Sequence, residues 1–96
     1  MRYLRVRWLQ DSPEYPVLLY SEVDDDGWEI RKVDEYADGH RDLAGEGIET
    51  GQSGLGEAPT PSIDEINSDP EFRAVEIDRD EFEGVWQAAK AWFDLP

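Results

Sequence analysis

The residues with the most obvious chemical potential form the run Asp24-Asp25-Asp26-Gly27, which resembles part of a calcium-binding loop. If Gly27 is the sixth residue of such a loop, the first, third and fifth positions are Glu22, Asp24 and Asp26. The twelfth position requires a bidentate Glu but holds Val33, so the most demanding ligand is missing. We therefore predict no metal site and no cofactor, and the run is typical of a solvated acidic turn.

Nucleophilic and phosphate-binding chemistry has little support in the sequence. The chain has one histidine, His40, and no cysteine, which excludes a thiolate zinc site and a Cys–His pair. No serine occurs in a nucleophile-elbow context. The glycine-rich run 51–56 lacks the lysine of a phosphate loop. We predict no catalytic residues, and an enzyme that uses carboxylates stays open as an alternative.

The acids instead suggest a binding surface. Five lie in residues 22–29 and nine in residues 64–83, within a chain of net charge −15. Such a field attracts basic proteins and repels nucleic acid and anionic membranes. An exposed tryptophan can supply the aromatic anchor that interfaces favour. The predicted partner is a basic protein, and the predicted contact residues are Asp24, Asp25, Asp26, Glu29, Asp78, Asp80, Glu81 and Trp92.

Two predicted strands, residues 17–23 and 28–37, position the first acidic group. Asp26-Gly27 between them suits a two-residue turn in which both central residues have positive φ. That turn implies three cross-strand pairs: Val23–Ile30, Glu22–Arg31 and Tyr20–Val33. Alternation then predicts one apolar face toward the core (Val17, Leu19, Val23, Trp28, Ile30) and one polar face (Glu22, Glu29, Arg31, Glu35).

Further patterns complete the predicted fold. Residues 2–9 alternate as a half-buried strand, and residues 72–77 can form a short final strand. Ser62 begins a capping box for a short helix, and an Asp at 78 or 80 caps a helix of about fourteen residues. The apolar stripe of that helix is Phe82, Val85, Trp86, Ala89 and Phe93. The pattern does not decide whether residues 41–50 form a strand.

The expected architecture is a single α+β domain spanning residues 1–96. It has a mainly antiparallel sheet of three to five strands, with the C-terminal amphipathic helix packed on one face. The other face is expected to be polar and open to solvent, as antiparallel sheets allow.

Composition limits the cellular context. Without cysteine the chain suits a reducing compartment, and no apolar run approaches the roughly 18 residues that span a bilayer. Arginines interrupt the apolar run at the N-terminus, unlike in a signal peptide. We expect a cytoplasmic protein with no membrane contact, and the oligomeric state is left open.

Four runs carry a resemblance to known proteins: residues 2–9 (RYLRVRWL), 19–33 (LYSEVDDDGWEIRKV), 56–59 (GEAP) and 80–86 (DEFEGVW). They resemble a family of small uncharacterised acidic bacterial proteins, which has no established activity and so implies no site residues. Size and charge are also similar to those of immunity proteins from toxin systems, an analogy of composition.

The leading hypothesis is a non-enzymatic acidic protein-binding module, such as an immunity or inhibitor protein that neutralises a basic toxin, for example a nuclease. One alternative is a nucleic-acid mimic that binds a DNA-binding protein. Another is a carboxylate-based enzyme. A further possibility is that the acidity serves solubility alone.

Overall fold

In the residues that the computed structural model describes, 1–51 and 53–96, six strands form one antiparallel sheet with a helix on each side of it. The strand order is β5-β4-β3-β2-β1-β6. In chain order the elements are β1 (Arg2–Trp8), β2 (Leu18–Val23), β3 (Glu29–Glu35), β4 (Arg41–Gly45), β5 (Ile48–Glu49), α1 (Ile63–Asn67), β6 (Phe72–Ile77) and α2 (Arg79–Trp92).

The α+β class and the antiparallel sheet are confirmed, but the predicted count of three to five strands was too low. The undecided region 41–50 contributes both β4 and β5. Glu46 and Gly47 join them in a two-residue turn with φ of 53° and 79°. Positive φ at both turn positions matches the twist of a hairpin, which explains how so short a connection is accommodated. In the glycine-rich segment that follows, Gln52 lies outside the described residues.

The β2–β3 hairpin has the predicted register in its body and a different turn. The pairs Tyr20–Val33 and Glu22–Arg31 are confirmed, whereas Val23 faces Glu29 because a bulge shifts the register. Within the loop, the Asp24 carboxylate accepts from the backbone N–H groups of Asp26 (3.0 Å) and Trp28 (2.9 Å).

Those bonds replace the expected two-residue turn with a longer loop. The N–H of Gly27 donates to the carbonyl of Asp24 at 3.0 Å, and that of Asp24 donates to the carbonyl of Trp28 at 2.9 Å. Gly27 has a φ of 89°, whereas Asp26 keeps a negative φ. A turn followed by a glycine bulge therefore connects the strands.

Both helices begin at the predicted caps. The Ser62 hydroxyl accepts from the N–H of Glu65 at 3.1 Å, and the Asp78 carboxylate accepts from the N–H of Glu81 at 2.8 Å. The predicted stripe on α2 is confirmed, with Phe82, Trp86 and Ala89 fully buried. In the described part of the chain, neither helix has the length and apolar run that crossing a bilayer requires.

The face of the sheet that α2 covers is not the one predicted. The buried cluster beneath α2 contains Tyr3, Tyr20, Val33, Leu43 and Ile77. Because side chains alternate along a strand, Glu22 and Arg31 belong to this helix-covered face. Leu4, Val6 and Leu19 lie on the opposite face.

The opposite face is also covered, so the expected open polar face was wrong. Residues 53–62 and α1 lie over it, and we call residues 53–71 the covering segment. The N–H of Thr60 donates to the carbonyl of Gly27 at 2.7 Å, which holds the segment at the β2–β3 loop. At its other end the Asn67 amide accepts from the N–H of Ala74 (2.6 Å) and donates to its carbonyl (3.0 Å).

The Asn67 contact also caps one edge of the sheet at Ala74. Ala74 lies on β6, the outermost strand, and its backbone groups that point away from β1 would otherwise be open to pairing. The side-chain amide supplies one donor and one acceptor, as a neighbouring strand would. At the other edge, β5 is only two residues long.

Arg31 links the sheet to α2. Its guanidinium donates to both oxygens of Glu22, at 2.5 and 3.0 Å, and to Glu83 on α2. The same group lies 5.0 Å from the ring centre of Phe82 and 5.1 Å from that of Trp86. Only 11% of the Arg31 side chain and 9% of that of Glu22 are exposed. This cluster satisfies two buried charges and fixes α2 over β3.

Replacing Arg31 by Met should therefore strongly destabilise the fold. Glu22 would remain buried without its partner, and we expect a loss of about 3–5 kcal/mol in the free energy of unfolding. Urea denaturation at pH 7 measures it. The matched control is Arg5→Met, whose bridge to Glu81 is roughly 40% exposed on both sides and should cost less than about 1 kcal/mol.

A double substitution tests whether the unpaired charge is the cause. Adding Glu22→Leu to Arg31→Met removes the stranded carboxylate, so the double variant should be more stable than Arg31→Met alone. Equal stability of the two variants would show that the lost arginine packing, and not the buried charge, sets the cost.

Candidate functional site

The sheet topology brings the two acidic groups of the sequence to one end of the molecule. β2 ends at Val23 opposite Arg2, and β6 ends at Ile77 opposite Tyr3. Since β2 and β6 flank β1, the chain leaves both strands at the same end, about 10 Å apart. We call this end, with its carboxylates Asp24, Asp25, Asp26, Asp78 and Asp80, the acidic end.

The residues of the acidic end differ in how far they are already engaged. Asp24 and Asp78 accept backbone hydrogen bonds and shape the loop and the helix cap. Asp25 lies 2.9 Å from the amino group of Met1, which lowers the pKa of the Asp25 carboxyl. Within residues 1–51 and 53–96, Asp26 and Asp80 form no ion pair. These two carboxylates are therefore the most accessible to a partner.

Two other predicted contact residues have structural roles. Glu29 accepts from the Ser21 hydroxyl at 2.6 Å and from the N–H of Gly56 at 2.9 Å, so it holds the covering segment. Glu81 lies beside the acidic end, one residue after Asp80, and bridges to Arg5 at 3.0 Å.

The predicted aromatic anchor lies far from the acids. Trp92 is 51% exposed, but it is at the end of α2 beside Arg41, whose guanidinium is 5.9 Å from its ring centre. Arg41 begins β4 at the opposite end of the sheet from the acidic end. The structure therefore does not bring Trp92 together with Asp24–Asp26.

Another tryptophan takes that position. Trp28 was predicted to face the core, but it belongs to the hairpin loop before β3 begins and is 42% exposed. Its N–H donates to Asp24, which fixes it beside the acidic end. Sequence reasoning missed this position because the expected two-residue turn made Trp28 the first residue of a strand, whereas a residue that follows Asp-Gly in a bulged loop lies outside the strand alternation.

Two further acids lie near this end, and their contacts are visible only in the structure. Glu46 lies 3.6 Å from Arg31, and Glu83 accepts from the same guanidinium, which lowers the pKa of Glu83. Both depend on contacts between segments remote in sequence, so local patterns could not have indicated them. With Glu22, three carboxylates surround one arginine.

A second polar region lies between β3 and β4. Asp34 faces Asp42 across these strands, and both are buried. Burial raises the pKa of Asp34, and Lys32, with its amino group 3.9 Å away, opposes the shift only partly. Asp34 Oδ1 has no hydrogen-bond partner among the described residues. Burial also raises the pKa of nearby Tyr36, to about 12, with Asp34 and Asp42 adding to the effect.

A cavity of about 470 Å³ opens beside these groups, and Tyr36, His40 and Asp42 are among the residues that line it. The His40 ring stacks on Tyr36, with centroids 3.9 Å apart, and its Nδ1 lies 2.5 Å from Asp38. Tyr36 stays a neutral phenol at physiological pH and can donate a proton in a hydrogen bond. The cavity thus combines a carboxylate, a phenol and an imidazole.

The chain belongs to the family described as a domain of unknown function (DUF6881), which matches residues 2–91. This agrees with the resemblance to an uncharacterised family that the four sequence runs indicated. No curated protein and no solved structure matches the chain.

Asp34 should make stability depend on pH in a direction opposite to that of most carboxylates. Its raised native pKa means that the native state holds the proton at a pH where the unfolded chain, with a pKa of about 3.9, has lost it. Its contribution to stability therefore falls as pH rises through that interval. Urea denaturation from pH 3 to 8 should show Asp34→Asn gaining stability relative to the parent as pH rises.

Asp38→Asn provides a control of opposite sign. The backbone N–H and ring of His40 lower the pKa of Asp38, so its contribution is present at neutral pH and is lost in acid. The Asp38→Asn variant should be less stable than the parent at neutral pH, and this difference in the free energy of unfolding should disappear as pH falls. A pH-independent difference between Asp34→Asn and the parent would mean that Asp34 ionises as it does in the unfolded chain.

Proposed function

We propose that the chain is a non-enzymatic binding module that contacts a basic protein through the acidic end. The observation that supports this best is the meeting of two acidic segments, about fifty residues apart in sequence, at one end of the sheet. Rigid elements present both groups, since Asp24 lies in a hydrogen-bonded loop and Asp78 caps α2. A partner therefore meets a preorganised surface, which limits the entropy lost on binding.

Both charged groups and an aromatic side chain would contribute to recognition of the partner. The acidic end also carries positive groups, namely the amino terminus, Arg2 and Arg79. A partner would therefore be oriented by a pattern of positive and negative groups and not by a uniformly negative surface. The overall charge of −15 steers basic proteins toward the chain and raises the association rate at low salt. Exposed Trp28 beside the acids is the type of residue that dominates interface energetics.

The partner class that fits is a basic toxin, such as a nuclease. A nuclease surface is positively charged because it binds phosphates, and an acidic protein that covers this surface blocks access of nucleic acid. In this role the chain is an immunity or inhibitor protein. The same charge keeps the chain itself from binding nucleic acid directly.

A second candidate function is a carboxylate-based enzyme, favoured by the cavity beside His40 and Asp42. If chromogenic ester or phosphate-ester substrates are turned over faster by the parent than by Asp42→Asn, this candidate takes precedence. Under the binding function, the parent and the variant should give the same background rate.

Charge reversal at the acidic end should abolish binding of the partner. We expect immobilised parent protein to retain at least one basic protein from an extract of its producing cells at low salt. Asp26→Lys/Asp80→Lys should lose that protein, because both carboxylates are exposed and unpaired among the described residues. Retention on the two forms of the protein is compared by gel and mass spectrometry.

The matched control is Asp11→Lys/Glu14→Lys, which makes the same change in net charge on the exposed loop between β1 and β2. It should keep the partner, with only a slower association. If both double variants lose the partner to the same extent, the interaction depends on net charge alone and not on the acidic end. If the parent protein retains no basic protein at all, the proposal is contradicted. A retained DNA-binding protein that free DNA displaces would favour a nucleic-acid mimic.

A further inference from the structure

An apolar groove lies between the sheet and the covering segment, on the face opposite α2. Its volume is about 390 Å³. Leu4, Val6 and Leu19 form its floor, and Pro61, Ile66 and Phe72 form its walls. Glu65 and Asp69 lie at its rim.

Hydrogen bonds to neighbouring elements hold the covering segment in place over this groove. Thr60 is bonded to the β2–β3 loop, and Asn67 is bonded to β6, so the segment is fixed on both sides of the groove. Glu29 anchors it a third time through Gly56. Tethers of this kind position the covering segment without filling the space beneath it. The groove is therefore a built feature in which Leu4 is buried, whereas Val6 and Leu19 are only half-buried and can be covered by another group.

Charge restricts what that group can be. The stretch from Asp42 to Phe72 contains eight acids and no Lys or Arg, and it includes the entire covering segment. Among the described residues that line the groove, charge comes only from Glu65 and Asp69. A second copy of this chain would bring a further −15, and an anionic lipid would also be repelled. A cationic occupant is complementary.

The groove also continues toward the acidic end. Thr60 lines it and is bonded to Gly27, which adjoins Asp24–Asp26. A strand advances about 3.3 Å per residue, so a few extended residues of a partner can span from the groove to the acidic end. An apolar centre with a charged rim is the usual anatomy of a protein interface.

We propose that this groove docks an amphipathic basic segment of the partner protein, whose apolar side chain enters between Leu19 and Phe72 while its Lys or Arg residues meet Glu65 and Asp69. The inference rests on the proposed function, and adds to it the anchor that charge alone does not supply. Apolar burial in the groove sets the lifetime of the complex, and the acids set its rate of formation.

Two synthetic peptides test the proposal: acetyl-KKLWLKK-amide and acetyl-KKSSSKK-amide, each labelled with fluorescein. Fluorescence anisotropy at low salt should give a Kd for the apolar peptide at least about tenfold lower than for the serine peptide, because the latter buries nothing apolar. A third peptide with Gln in place of Lys should bind more weakly than the apolar cationic one. Equal binding of the Gln peptide would overturn the charge part of the proposal.

Substitutions on α1 provide matched pairs. Ile66→Ala should raise the Kd of the apolar peptide by about tenfold and leave the Kd of the serine peptide unchanged. Ile63→Ala is on the same helix but outside the lining of the groove, and it should change neither Kd by more than about twofold. Glu65→Lys should weaken both cationic peptides more than Asp64→Lys does. Indistinguishable effects within each pair would overturn the groove as the docking site.

A measurement on the unaltered chain removes any dependence on how the variants fold. With a nitroxide on the apolar peptide, the amide NMR signals of Leu19, Ile66 and Phe72 should broaden first. Broadening centred on α2, or on Asp24–Asp26 alone, would overturn the inference. In the second case, loss of the basic protein from Asp26→Lys/Asp80→Lys would still support the proposed function, so the two proposals fail separately.

Discussion

The neutralisation of Arg31 is the constraint on which the arrangement of the molecule depends. A guanidinium buried between sheet and helix requires carboxylates on both sides, and Glu22 and Glu83 supply them while Phe82 and Trp86 enclose the cation. This fixes the first turns of α2 over the beginning of β3. The start of the helix, with its acids, is thereby held at the end of the sheet where the β2–β3 loop projects. A charge pair in the core thus determines the charge pattern at the surface.

Sequence patterns predicted correctly those elements that are determined by interactions between residues close together in the chain. The limits of β6 and α2, both caps and the stripe on α2 follow from alternation, helical spacing and side-chain hydrogen bonds within four residues. The body of the β2–β3 hairpin was also predictable, since Glu22–Arg31 and Tyr20–Val33 satisfy charge and packing together. The turn was not, because the Asp24 carboxylate competes for the loop N–H groups and stabilises a longer loop.

The assignment of faces failed for a related reason. Hydropathy counts Arg31 and Glu22 as polar and so placed them toward solvent, but two opposite charges that satisfy each other, with aromatic rings around them, can be buried. Tyr3 and Tyr20 add to the error because each has a large apolar body with one polar atom. The acids of the candidate site could be chosen from the sequence, whereas their convergence required knowing that β6 lies beside β1. That pairing joins residues more than sixty positions apart.

Because Asn67 binds the edge strand β6, α1 has two structural roles that depend on the same position of the helix. The five-residue helix walls the groove through Ile66, and the next residue substitutes for a missing strand along β6. Spreading the groove by moving α1 outward would withdraw that amide and leave the backbone of Ala74 without its partner. Widening the groove would therefore expose backbone groups at the edge of β6. The width of the groove depends on hydrogen bonds between a side-chain amide and the main chain, and not on the packing of apolar side chains alone.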